Sequence, residues 1–547
     1  MTTSTDLQPL PLPCSDFSFL RSTGKIYVDK TAQIYSLCRF AGSQIFLARP
    51  RRFGKSLLVS TFESLFANGL RDFEGLAIEK LWNDSGTYDV VRLDFSELAG
   101  AFKTIEEFRD LMATRIFNNF PQEGGASDDA RLPPAARFSQ WLRKRPVNSL
   151  VLLIDEYDAP LTALLHQPAL FAEVQAELGN FYLTIKAWSR CLRFFFMTGI
   201  TKLAGSGIFT GFNTVQDISL CSDCASLAGF TEDEIKENFG PHLERAAETL
   251  GLTQHAVVYA LRTNYGGFCF DRKASTHVFC PWSVLNFLNR PAQGFQHYWF
   301  ASGGHSSLLV ELLRGHPLEN PAAFDRPLLL ESHVLEAPQS GSFSLPALLT
   351  QAGCLTIKDV PLEGCVRLGY PNQEVRNSFA RLYAGELLHG ADLNAIEIIR
   401  LKRALEEGDI DETVRILNLV FAAIDAVRYP VTDEATCRNF LRVLLIGAAM
   451  LPQVAVHTAN EESMLELEVG LTHWILEIEF ARREGEAETL LAEGIRQMRS
   501  RDYGRTPHGL TLVRAVLVFD GAARAFTRAS IVDDVSDSSD NHAAASD

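Results

Sequence analysis

Four near-continuous apolar runs within the first 200 residues set the tightest limit on how this 547-residue chain folds. They are SQIFLA (43–48), YDVVRLDF (88–95), NSLVLLIDEY (148–157) and LRFFFMTGI (192–200). A strand that is apolar on both alternating faces has to be covered on both, which is the situation of parallel sheets sandwiched by helices. Helical patterns such as LLVSTFESLF lie between the runs, so residues 1–225 read as an α/β parallel-sheet domain. From GFTEDEIKENFG (229–240) the pattern turns helical. Thr231 is the expected N-cap, and Glu234 three residues later completes a capping box.

The remaining chain divides by the same reasoning. Residues 226–310 read as a helical lid, and 311–425 as a mixed connecting region that becomes helical through LNAIEIIRLKRALEEG. Residues 426–530 read helix, strand, strand, helix, strand, with strands SMLELEV (463–469), HWILEIEFA (473–481) and LTLVRAVLVFDG. GGASDDARLPP (124–134) is an expected surface loop, and the acidic tail over 531–547 is expected to be disordered for want of bulky apolar side chains. No internal repeat is evident.

Composition excludes some functions. The 67 acidic residues outnumber 51 Lys and Arg, a net charge of −16, which does not suit a protein that coats nucleic acid without regard to sequence. A local basic groove stays open. LLIGAAMLPQVAV (444–456) is shorter than the ~20 residues a spanning helix needs and contains Pro452. The start, MTTSTDLQPLPLPC, has no basic region and no long apolar core, so no secretion signal is read there. Ten scattered cysteines suit a reduced, cytoplasmic protein. The CxxC of Cys221 and Cys224 has no second partner pair, although a zinc site could borrow Cys269 and Cys280.

The strongest chemical signal is IFLARPRRFGKSLL (45–58), an apolar strand, a loop, Gly54-Lys55-Ser56 and a helical pattern. Backbone N–H groups and a helix N-terminus in that setting hold phosphates, so the loop over Arg49, Arg51, Arg52, Phe53, Gly54, Lys55, Ser56 and Leu57 is a candidate nucleotide site. Lys55 would reach the β- and γ-phosphates, and Ser56 would bind Mg²⁺. Arg49 stands where the common phosphate-loop pattern has Gly, and Pro50 removes one donor. The second half of the pair is LVLLIDEYD (150–158): Asp155 ends a strand where it could hold Mg²⁺, and Glu156 could polarise the attacking water. Thr198 and Asn213 fall where a polar residue could sense the γ-phosphate, or could simply cap a strand and sit in solvent. Asp94 is either a turn former or a carboxylate facing the site.

These motifs, together with IYVDKT (26–31), FFFMTGITK, SGIFTGFNTVQDIS and AGFTEDEI, resemble the bacterial AAA-ATPase-like family. The resemblance continues through NYGGFCF, PWSVLNFL, HYWFASGG, TQAGCLTI and LGYPNQEVR. It implies a P-loop NTPase domain with ATP and Mg²⁺ as ligands, fused to a C-terminal α/β PD-(D/E)XK nuclease-like domain. It also makes RPRRFGKS the family's usual loop and places Tyr27 to Lys30 near the nucleotide.

A nuclease of that kind holds Mg²⁺ with carboxylates on two adjacent strands and aligns water with a lysine. Glu466 and Glu477 are the candidate metal ligands here, but Glu479 stands where the lysine is expected. Gln497 and Tyr503 match the following helix, and Glu434 the preceding one. The expectation is a retained fold with impaired cleavage. Two functions follow: an ATPase gating a domain that acts on or binds DNA or RNA, or an ATP-dependent switch or scaffold whose silent domain binds a protein. An oligomer is compatible with either.

Overall fold

The apolar runs pair side by side as one parallel sheet. In a computed structural model, which describes residues 7–118, 132–202, 214–303, 324, 327–335, 344–387, 395–424, 426–427, 429–448, 450, 452–454, 464–483, 485–500 and 510–532, the chain forms two compact units. The first comprises Met1–Pro317 and Phe324–Arg376, the second Leu318–Ala323 and Asn377–Asp547.

In the first unit the strands are β1 (Ser43–Ala48), β2 (Asp89–Asp94), β3 (Leu150–Asp155), β4 (Leu192–Gly199) and the short β5 (Gln216–Asp217), in the order β2-β3-β4-β1-β5. All pairs are parallel. β3 and β4 are buried along their whole length, as their unbroken apolar sequence requires. Helices α1 (Phe17–Ser22), α2 (Thr31–Cys38) and α3 (Lys55–Asn68) cover one face, where Phe62 and Phe66 pack on Phe194 and Phe196. Helices α4 (Ile105–Asn118), α5 (Pro134–Arg143), α6 (Ala159–Thr162) and α7 (Pro168–Ala187) cover the other, around Leu152, Ile154, Phe195 and Met197.

A helical layer follows: α8 (Glu232–Leu250), α9 (Gln254–Tyr265), the hairpin β6 (Phe268–Cys269) and β7 (His277–Val278), α10 (Pro281–Asn289) and α11 (Tyr298–Ala301). Ile26 and Val28 from the N-terminal segment complete its core with Phe239, Leu243, Leu261 and Phe287. The unit closes with a three-stranded antiparallel sheet, β8 (Leu328–Glu331), β9 (Thr356–Asp359) and β10 (Cys365–Gly369), helix α12 (Leu345–Gln351) and the start of α13 (Gln373–Leu387). Residues expected as one connecting region over 311–425 thus supply elements to both units.

The second unit holds α14 (Ala395–Glu407), α15 (Ile410–Ala423), α16 (Glu434–Gly447) and α17 (Ala487–Ser500) around a mixed sheet. Its strands β11 (Gln453–Val454), β12 (Met464–Val469), β13 (Thr472–Ala481), β14 (Thr511–Asp520) and β15 (Ala525–Ile531) lie in sequence order. β12 and β13 form an antiparallel hairpin, α17 crosses over to a parallel β14, and β15 returns antiparallel. α14 to α16 cover the face of Leu465, Leu467, Trp474 and Leu476; Met498 of α17 packs with Met464, Ile475 and Val516 on the other. The expected order of helix, hairpin, helix and strand is present, with β11 and β15 added. Most of the expected loop 124–134 and the tail from 533 lie outside the described residues.

Both halves of the capping box form: Thr231 Oγ1 accepts from Glu234 N at 3.3 Å, and Glu234 Oε2 accepts from Thr231 N at 2.8 Å. Replacing Thr231 with Ala leaves a helix donor without that partner, a loss of about 1 kcal/mol. The Thr231→Ala protein is therefore expected to unfold at a lower urea concentration than wild type; an unchanged midpoint would remove the cap from the energetics of this layer.

Candidate functional site

Parallel pairing places the carboxyl ends of β1, β3 and β4 on one edge, and the chemistry collects there. After β1 the chain turns through Arg52 and Gly54, both with positive φ (71° and 91°), and Gly54 caps α3. A glycine is suited to that left-handed position because it has no Cβ to clash. Lys55 is buried, and its Nζ donates to the Pro50 carbonyl at 3.1 Å. Burial lowers the Lys55 pKa, while Glu156, Asp155 and Asp158 pull it back up.

Asp155 and Glu156 come off the end of β3 facing this loop. Burial raises the Asp155 pKa, opposed by a hydrogen bond from the Ser56 side chain and by the Lys55 charge. Glu156 is likewise raised by burial and held back by Lys55 and Arg51. Its backbone is left-handed (φ 48°), an uncommon conformation for a residue with a side chain. Lys55, Ser56 and Glu156 line one cavity of about 490 Å³, bounded further out by Lys30, Phe230 and Trp282. The Ser56–Asp155 contact is an all-oxygen pair of the kind Mg²⁺ takes.

Arg51, Arg52, Phe53 and Leu57 also line this cavity, with their side chains engaged by further partners. Arg51 Nη1 donates to the Gly303 carbonyl at 3.3 Å, and Arg52 Nη2 to the Ser302 carbonyl at 2.9 Å. The Arg52 guanidinium also lies 4.6 Å from the centre of the Trp282 ring. Phe53 is buried against Phe268 and Phe270, and Leu57 packs into the core under α3. Arg49 turns away from the cavity. Its guanidinium is buried and donates to the carbonyls of Ala48, Ser219 and Cys224, because three carbonyls converge beside β1. The Thr198 hydroxyl is spent inside the sheet on the Leu47 carbonyl at 2.7 Å. Asp94 turns back to accept from Ser96 N at 2.9 Å, as a turn former does. Asn213 lies outside the described residues.

The sequence alone gives no site role to Asp158 or Trp299, and only the family resemblance places Lys30 here. Asp158 accepts from Ile200 N, Thr201 N and Thr201 Oγ1, so it pins the chain leaving β4 beside the β3 end. Lys30 reaches across to Glu234 of the capping box, with Asp29 fixed by Thr31 N and Ala77 N. That puts IYVDKT at the cavity wall on geometric grounds. Trp299 donates its indole N–H to the Arg51 carbonyl at 3.0 Å, and its backbone N–H to the Glu374 carboxylate at 2.6 Å. Ser283 Oγ donates to the other Glu374 oxygen at 2.8 Å. The signal for Glu374 was its place in LGYPNQEVR; nothing local indicated that it would be buried.

In the second unit Glu466 and Glu477 share the sheet face under α17, diagonally placed: Glu466 pairs with Ile475 and Glu477 with Met464. Glu477 is buried and Glu466 partly so. Glu479 lies on the same face. Among the described residues no group of three or more His, Cys, Asp or Glu side chains converges to hold a metal ion, the CxxC included. All ten cysteines are free thiols. No helix of the described residues is long and apolar enough to cross a membrane.

A five-stranded parallel sheet with a glycine-capped lysine-serine helix start facing strand-end carboxylates defines a mixed α/β protein of the P-loop kind. Residues 11–209 match the family described as "Predicted AAA-ATPase". Over 376 residues the chain is 31% identical to a protein of Azotobacter chroococcum mcd 1 described as "Uncharacterized protein in vnfD 5′ region", covering 68% of each chain. No solved structure matches. The chain belongs to one family with this Azotobacter protein, and its residues 11–209 form an AAA-ATPase-like domain.

Burial pushes the Glu374 carboxyl up to about 8 against its two donors, Trp299 N and Ser283 Oγ. The folded protein therefore retains a proton there that the unfolded chain, with an ordinary carboxyl near 4.5, has released. Stability is expected to fall as pH rises through that window, from about 4.5 to about 8. In Glu374→Gln this slope should flatten, read as urea midpoints at pH 5 and pH 8. Identical slopes in the two proteins would count against a neutral Glu374.

Proposed function

We propose that the first unit binds and hydrolyses ATP with Mg²⁺. The observation that carries this is the meeting of Lys55, Ser56 and Glu156 at one cavity, with Ser56 hydrogen-bonded to Asp155 behind it. The first N–H groups of α3 would hold the phosphates, and Lys55 would add charge. Ser56 and Asp155 would hold Mg²⁺, which when bound neutralises charge on the β- and γ-phosphates. Glu156 would orient the attacking water and draw its proton, and the buried setting keeps its basicity above that of an ordinary carboxylate. Arg51 and Arg52, at the rim, would exchange backbone carbonyls for phosphate oxygens. Arg49 and Thr198 are left out of the phosphate site because their polar groups are engaged elsewhere.

The ATPase cycle would gate the second unit, and we read that unit as nuclease-like. Its hairpin, crossover helix and parallel strand, with Glu466 and Glu477 on one face, support the reading. Glu479 on that face, in place of a lysine, favours a domain that binds nucleic acid or a protein partner without cutting. An ATP-dependent switch or scaffold is thus the second reading.

Removing the Lys55 ammonium deletes a charge-assisted contact of about 1.5–3 kcal/mol, so Lys55→Ala should bind ATP roughly tenfold to a hundredfold more weakly by calorimetry. Glu156→Gln should bind ATP with Mg²⁺ normally yet hydrolyse it at least about 100-fold more slowly. Wild-type turnover in Glu156→Gln would place the base elsewhere. For the second unit, Glu479→Lys should raise Mg²⁺-dependent nicking of plasmid DNA above the wild-type level; equal cleavage by both proteins would reverse the view that the lysine's absence silences it.

A further inference from the structure

A second cavity, of about 450 Å³, lies on the other side of the phosphate loop's first residues. Ala48, Arg49 and Pro50 form part of its wall, whereas Arg51 to Ser56 line the first cavity. Its size is in the range of small-molecule sites. The apolar part of the lining is Ile200, Leu220, Phe270, Leu335 and Ala347.

Charge in this cavity is one-sided. Arg49, Lys202, Arg272 and Lys273 line it, against a single carboxylate, Asp217. That carboxylate is already matched to Lys202 Nζ at 2.6 Å. Arg49 is 1% exposed and is met by carbonyl dipoles and by the Phe270 ring, 4.4 Å from its guanidinium carbon. Among the described residues its Nε has no acceptor. Among the described residues no carboxylate stands at ion-pair distance from it. A buried cation with no ion-pair partner in contact is costly, and burial depresses the Arg49 pKa to about 10 while Cys224 and Asp217 pull it back up. Arg272 and Lys273, both exposed, add positive potential at the mouth.

We propose that this cavity is a second ligand site, for a small organic anion with an apolar body. The apolar part would cover Phe270, Leu335 and Ala347, and the anionic head would sit in the field of Arg49, Lys202 and Lys273. Because the cavity shares the Ala48–Pro50 segment with the phosphate loop, a ligand that shifts this segment changes nucleotide affinity, and the nucleotide changes the ligand's by the same factor. That consequence rests on the ATP reading; the anion site does not.

The test uses the full chain and 8-anilinonaphthalene-1-sulfonate, an aromatic anion of suitable size, titrated by fluorescence with and without saturating ADP and Mg²⁺. The expected result is one saturable site that survives ADP, weakens at least fivefold in Lys273→Glu, and disappears in Ala347→Trp, which fills the cavity. Lys273 is exposed, so its charge reversal leaves the fold intact and decides the matter if Ala347→Trp fails to fold. Binding that Lys273→Glu leaves unchanged, or that ADP weakens without limit as a direct competitor does, overturns the site. Failure of ADP to bind at all would instead strike the ATP reading and leave the Lys273→Glu comparison standing.

Discussion

The pairing of β1 with β4 is the interaction on which the rest of the first unit depends. Six residue pairs from Ser43–Phe194 to Ala48–Gly199 set β4 between the strand that feeds the phosphate loop and the strand that ends in Asp155. A parallel sheet with this register delivers Arg49, Glu156 and Ile200 to one edge within a residue of each other. Asp158 then ties two of those ends together by accepting from Ile200 and Thr201. A slip of β4 by one residue would turn Phe196 to the wrong face and move Ile200 and Thr201 off Asp158.

The loop is held from its far side by a chain of hydrogen bonds as well as by its own Lys55–Pro50 contact. Glu374 fixes Trp299, Trp299 fixes the Arg51 carbonyl, and Gly353 comes so close to Pro50 that an added Cβ would lie 2.8 Å from its ring. Buried networks of this kind are stiff when each member is satisfied. They give the left-handed Arg52 and Gly54 a fixed setting, and so preorganise the N–H groups at the start of α3 before any ligand arrives.

The apolar runs were legible because unbroken hydrophobicity has one economical solution, and the four strands fall within two residues of their expected ends. The capping box was legible because its two bonds join residues three apart. Thr198 and Arg49 show the opposite. Each sits at a plausible position along the chain, yet Thr198 spends its hydroxyl on Leu47 and Arg49 spends its guanidinium on Ser219 and Cys224, partners remote in sequence.

Local information is enough to specify the parallel sheet, the helix that begins at Lys55, the acidic strand end and the order of elements around β12 to β14. These follow from periodicity and from contacts within a few residues. Long-range packing alone settles which charged side chains face the loop before α3 and which are buried behind it, that Lys30 reaches Glu234 beside the first cavity, and that Glu374 is buried in the core with its pKa raised. Those outcomes depend on distances between residues up to about 320 apart, from Arg51 to Glu374 along the hydrogen-bonded chain. No local pattern carries that information, because a side chain's burial and partners are set by whatever the completed fold packs against it.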